Sequence, residues 1–142
     1  MNSELLINEL GHTLGFTLQF SENGTCGVFF DEDEIIFEKH ESQLYLIADL
    51  GPAHGRTDTY KSLLEANYLG QASGQAVLAL DSVREEFTLH RILDGEMDYN
   101  EFESILTVFV SAVRYWKKWL KEGSSTTTTD TTEFVENTAV LA

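Results

Sequence analysis

The sequence predicts an α+β domain in which an antiparallel sheet is packed by helices, in the order helix, three strands, helix, two strands, helix. Apolar residues recur at helical spacing in three stretches. Between those stretches, apolar and polar residues alternate in short runs, three and then two, as half-buried strands do. Turns bearing Gly, Pro and Asn separate the runs. At 142 residues the chain is one domain long, a size at which roughly 68–70% of the unfolded surface is buried on folding. Its 42% hydrophobic and 11% aromatic content supplies a core.

The first helix takes its stripe from Leu5, Leu6, Leu10 and Leu14, with Asn2 or Ser3 as cap and Gly15 as terminator. Gly11 weakens its interior. Phe16, Leu18 and Phe20 alternate with polar residues and predict an extended segment. Asn23-Gly24 is a hairpin turn. Cys26, Val28 and Phe30 then line one face of a strand, with Phe29 an apolar spot on the other. Asp31-Glu32-Asp33-Glu34 reads as a solvated turn, and Ile35 to Glu38 and Leu44 to Leu50 complete a three-stranded meander.

Gly51-Pro52-Ala53-His54-Gly55 is loop chemistry. Asp58 or Thr57 is the expected cap of a second helix striped by Tyr60, Leu63, Leu64, Asn67 and Tyr68 and ended by Gly70, Ser73 and Gly74. Two strands follow, Ala76 to Leu80 and Phe87 to Leu93. The third helix has the strongest signal. Asp98 and Glu101 have capping-box spacing. Phe102, Ile105, Leu106, Phe109, Val110, Val113, Trp116 and Leu120 keep one face apolar over about five turns. Arg114, Lys117, Lys118 and Lys121 fall where the helix dipole favours cations, and Gly123 closes the helix. Residues 1–122 are therefore the expected folded unit, and the Ser/Thr-rich, acidic residues 123–142 an expected disordered tail.

The net charge of −15 argues against nucleic acid and against an anionic membrane as partners, since both need clustered Lys and Arg. It favours solubility and attracts basic protein segments. Cys26, the only cysteine, permits no intrachain disulfide, which fits a reducing compartment. The first residues lack the pattern of a signal peptide, and the longest apolar run, Leu106 to Val113, is too short to cross a bilayer. A cytoplasmic location is expected.

Chemistry has no visible address. Asp94-Gly95 through Glu101 imitates the second half of a calcium-binding EF-hand loop, but the first and third ligands would be His90 and Ile92. Isoleucine has no side-chain oxygen, so the calcium reading fails. His12, His40, His54 and His90 lack the spacing of a helical metal site. Cys26 has no nucleophile signature, and there is no P-loop, dinucleotide glycine pattern or nucleophile elbow. The sequence thus predicts no catalytic residue, no metal and no cofactor.

Specific residues attach to the element order. Leu10-Gly11-His12-Thr13-Leu14-Gly15 precedes Asn23-Gly24-Thr25-Cys26 and Leu44-Tyr45-Leu46-Ile47-Ala48-Asp49-Leu50-Gly51. Leu63-Leu64-Glu65-Ala66-Asn67-Tyr68-Leu69, Ala76-Val77-Leu78-Ala79-Leu80-Asp81 and Phe102 through Trp116 follow. In these pieces the chain resembles the class I type III secretion chaperones, the Tir-chaperone (CesT-like) family, over about residues 3–121. The Leu-Leu-Glu-Ala-Asn stretch is the most specific piece. The loop from Gly51 to Thr57 departs from the pattern in lacking a Leu-Pro pair.

The resemblance implies a homodimer in the cytoplasm of a Gram-negative bacterium with a type III secretion system. It implies binding to the N-terminal chaperone-binding segment of a secreted effector, kept extended, and no enzymatic activity. It places dimerisation on Tyr60, Leu63, Leu64, Asn67 and Tyr68, and effector binding on Leu5, Leu6, Leu10, Leu14, Phe16, Leu18, Phe20, Val28 and Phe30. The alternative is a regulatory protein on the same fold that sequesters a transcription activator or its inhibitor. An enzyme using Cys26 or a histidine is a third reading.

Overall fold

The structure, a computed structural model, describes residues 2–122. The tail and its Gly123 terminator lie outside the described residues. The elements are α1 (Ser3–Leu14), β1 (Thr25–Phe30), β2 (Asp33–His40), β3 (Gln43–Pro52), α2 (Tyr60–Asn67), β4 (Val77–Asp81), β5 (Glu86–Asp94) and α3 (Tyr99–Glu122). All five strands form one antiparallel sheet in the order β1-β2-β3-β5-β4. The predicted fold class and element order are those observed.

Local chemistry explains the ends of α1. Asn2 Oδ1 accepts the Leu5 N–H at 2.9 Å, and Gly15 closes the helix in the left-handed region at φ 82°. Gly11 has a further use. A Cβ there would sit 2.6 Å from the Phe16 carbonyl oxygen, so glycine lets residues 16–18 fold back against the helix. Residues 16–20 form no strand and do not join the sheet.

The helices pack on one face of the sheet. Phe37 and Phe102 meet at 6.1 Å between ring centroids, and Tyr60 meets Phe87 edge-on at 6.0 Å. Leu6 and Ile7 of α1, Ile35, Phe37, Leu44, Leu46, Phe87 and Leu89 of the sheet, and Phe102, Phe109, Val113 and Trp116 of α3 form the buried core.

Three expectations need correction. The acidic run is not a solvated turn throughout. Only Asp31 and Glu32 make the turn, while Asp33 opens β2 on its buried face. Its carboxylate, 11% exposed, accepts from Arg114 Nε at 3.1 Å and Lys117 Nζ at 2.7 Å, and Arg114 also reaches Asp31. Those two cations therefore join α3 to β2, beyond any interaction with the helix dipole. Second, β3 continues through Gly51 to Pro52, with a pairing irregularity between Asp49 and Gly51. An edge or terminal position lets Pro sit there without an N–H. Third, Thr57 and Asp58 do not precede a long helix. They lie in a 3-10 turn, Thr57–Thr59, and Thr59, the residue before α2, makes no side-chain cap bond. A second such turn, Tyr68–Gly70, follows, so α2 itself is only eight residues long.

Candidate protein-interaction surfaces

A groove of about 720 Å³ lies between α1 and α3 at the end of β1. Leu10 and Leu14 from α1, Phe30 from β1, and Leu106 and Val110 from α3 supply its apolar lining. The α3 wall is low because Ser104, Thr107 and Ser111 recur there at helical spacing. Each hydroxyl bonds the carbonyl four residues back, at 2.9–3.1 Å, so the row offers few free donors. Arg114 and Glu103 stand on the rim. The sequence reading missed this small-residue row, whose i, i+3, i+7 spacing was its only signal.

Of the residues assigned to effector binding, Leu6, Leu10 and Val28 are core, with Leu10 also bordering the groove. Their helical or alternating spacing marked the face turned toward the sheet interior, not a free surface. Leu14, Leu18, Phe20 and Phe30 are half-buried against that core. Lys39 Nζ sits 5.4 Å from the centre of the Phe20 ring. Leu5 is exposed, as are Phe16 (63%) and Phe29 (65%), the latter on the outer face of β1. The geometry therefore brings Leu14, Phe30 and the α1 side of the groove together and leaves Phe16 and Phe29 uncovered nearby.

The two sheet edges differ. At β4, the Asn67 amide donates to the Leu78 carbonyl and accepts its N–H, both at 2.8 Å. One step earlier, Ser73 takes both main-chain groups of Ala76: its Oγ donates to that carbonyl at 2.6 Å and its own carbonyl accepts that N–H at 3.1 Å. Side chains and loop thus occupy much of this edge. At β1 the Gly24 carbonyl accepts from Lys39 of β2, which sets the alternation so that Gly27 and Phe29 direct their main-chain groups away from the sheet. Ser21 already takes Thr25 at the start of this edge, its N–H donating to the Thr25 carbonyl at 2.8 Å, and the edge is open to another extended chain at Gly27 and Phe29.

The assigned dimer residues divide as well. Leu63 is buried, Asn67 is used on β4, and Tyr60 packs on Phe87. Leu64, Tyr68 and Leu69 are each 70% exposed, and Val77 and Leu80, on opposite faces of β4, are part exposed as well. Leu69 was not singled out. It holds φ 55°, a left-handed conformation costly for leucine, which turns its side chain outward.

The residues considered for chemistry stand apart. Cys26 is buried, and desolvation pushes its thiol pKa up, away from the reactive thiolate. Burial lowers the pKa of His90. His54 lies beside Glu85 and His40 stacks on Tyr45. Asp94 closes a turn by accepting the Glu96 N–H, at the end of a strand and not of a helix. Among the described residues there is no group of three or more side chains placed to hold a metal, and no helix long and apolar enough to cross a membrane.

Known proteins share this architecture. A chain of the ExsC–ExsE complex superposes with a TM-score of 0.71 at 17% identity, covering 89% of this chain and 100% of that one. A chain of the HopA1–SchA chaperone–effector complex gives 0.67 at 19% identity, covering 80% and 91%. The Yersinia pestis type III secretion chaperone SycH, in complex with a stable fragment of YscM2, gives 0.63 at 22%, covering 80% and 98%. At these identities the likeness establishes the fold. No curated protein matches the chain by sequence. The sequence model of the Tir chaperone protein (CesT) family, however, matches residues 5–117, and the chain belongs to that family.

Proposed function

We propose that this protein is a homodimeric chaperone for one or more type III secretion effectors. It binds the effector's N-terminal chaperone-binding segment in the bacterial cytoplasm, keeps it extended and secretion-competent, and catalyses no reaction. The observation that carries the reading is the contrast between the edges: β1 is open at Gly27 and Phe29 beside an apolar groove, while β4 is largely occupied by Asn67 and Ser73. An extended client can pair its main chain along β1 and place alternate side chains against Phe29 and in the groove. Ordering an unfolded client costs part of the contact free energy, so a large surface is required, and a two-fold dimer doubles it. The exposed Leu64, Tyr68 and Leu69 supply an apolar self-complementary side for that dimer.

Co-purification of the tagged protein from its native host, with mass spectrometry of the bound material, tests this. A secreted protein retained through its N-terminal region is expected, and the combined Phe16→Asp and Phe29→Asp changes should release it while the circular dichroism spectrum stays unchanged. Recovery of a transcription regulator as the dominant partner, with no secreted client, would replace this reading with sequestration.

A further inference from the structure

On the sheet face turned away from the helices, β1 presents Thr25, Gly27 and Phe29. Gly27 lies in ordinary extended backbone, outside the left-handed region, so no turn calls for glycine there. Glycine weakens a strand interior, and its use there marks a close approach. A Cβ built on Gly27 would meet Glu34 Oε2 at 2.9 Å and Ile36 Cδ1 at 3.3 Å. The Glu34 carboxylate therefore leans across the glycine toward the open edge. Given a client strand on β1, as proposed for effector binding, we propose that the client residue facing Gly27 is an arginine or lysine, held by the Glu34 carboxylate beside the Phe29 ring.

The register is confined. Ser21 takes the Thr25 carbonyl, and the turn at Asp31 and Glu32 ends the strand, so an added strand pairs with Gly27 and Phe29. Whichever direction the client runs, the residue opposite Gly27 puts its side chain on this outer face. Opposed Cβ positions lie about 4.5–5.5 Å apart, which places Glu34 Oε2 no more than about 8 Å from the client's Cβ. The long apolar stem of arginine or lysine carries a cation to ion-pair distance across that gap. Phe29, 65% exposed, flanks the path and offers its ring to the same cation.

Charge fixes the sign. Glu38 and Asp49, the neighbouring carboxylates on this face, are already paired with His40 and Arg84. Glu34 pairs with no cation among the described residues. A second copy is a poor occupant of this edge. Two β1 strands would offer each other only Thr25, Gly27 and Phe29 on this face and would bring two Glu34 carboxylates together. The exposed α2 side remains free for the dimer.

The test pans the full chain against a display library of random linear peptides. Selected peptides should share one arginine or lysine position within an alternating run, and binding should slow exchange of the Gly27 and Phe29 amides. Glu34→Gln, at an exposed position, should weaken such a peptide about three- to tenfold. It should leave unaffected the same peptide with glutamine in place of its basic residue. Panning on Glu34→Lys should move the preference to aspartate or glutamate. Binders that protect the two amides but carry no basic position would overturn the proposal, as would an unchanged basic preference on Glu34→Lys. Both results leave effector binding standing. Failure to select any peptide that protects these amides would remove the open edge and the proposal with it, while recovery of a secreted client by co-purification would still be decided separately.

Discussion

Asn67 on α2 holds both main-chain groups of Leu78 on β4, its Nδ2 donating to the carbonyl and its Oδ1 accepting the N–H, each at 2.8 Å. The side chain acts as a one-residue stand-in for a missing neighbour strand. Removing it leaves two part-buried main-chain groups without protein partners, so Asn67→Ala is expected to cost about 2 kcal/mol. Asn67→Asp should fare little better, because its carboxylate faces the Leu78 carbonyl. Urea unfolding measures this, and an unchanged midpoint would mean that water replaces the amide at no cost.

The dimer expectation separates two adjacent leucines. Leu64→Asp, at an exposed position, should leave the fold intact and yield the monomer mass in light scattering. Leu63→Asp puts a charge into the core and should unfold the chain. A Leu64→Asp protein that remains dimeric would move the interface away from α2.

Asp33 lies between Arg114 and Lys117, which are themselves 45% and 37% exposed. The cations are partly solvated, so Asp33→Asn should destabilise by about 1–2 kcal/mol, between exposed and buried ion pairs. A double-mutant cycle with Lys117→Met isolates the pair. Its coupling should shrink in about 1 M salt, where charges are screened within about 3 Å.

Gly11→Ala replaces a poor helix former with the best one, a change worth about 1 kcal/mol in favour of a helix interior. Here the sign should reverse. The new Cβ would meet the Phe16 carbonyl oxygen at 2.6 Å and the Leu18 main-chain nitrogen at 3.1 Å. Thermal melting should show a lower Tm and increased exchange of amides in residues 16–18. A higher Tm would show that this segment can withdraw freely.

Burial lowers the pKa of His90 below its ordinary 6.5. As pH falls below 6.5, the unfolded chain takes up a proton that the folded state resists, so stability declines with falling pH until the folded pKa is reached. His90→Gln should flatten the pH dependence of the urea midpoint in this window, above the carboxylate range. Identical slopes for the two proteins would remove His90 as a contributor.

Element type was legible because it is written in local periodicity. The Leu5–Leu14 spacing, the alternation around Cys26 and Val28, and the long stripe from Phe102 to Leu120 each correspond to an observed helix or strand. Caps made by neighbours in sequence were legible too, as at Asn2 and Gly15. The same periodicity misled at the surfaces: Leu6, Leu10 and Val28 carry the pattern of a binding face and of a core face equally well, and burial makes them core.

By itself, then, the sequence determined the elements, their order, the acidic character and the family resemblance, since all of these reside in runs of neighbouring residues. Tertiary structure alone decided the rest. Asp33 and Lys117 are 84 positions apart, and Asn67 meets Leu78 only because α2 folds onto β4. Which edge stays open, which leucine faces out and where the groove lies depend on such long-range contacts, which leave no local pattern to read.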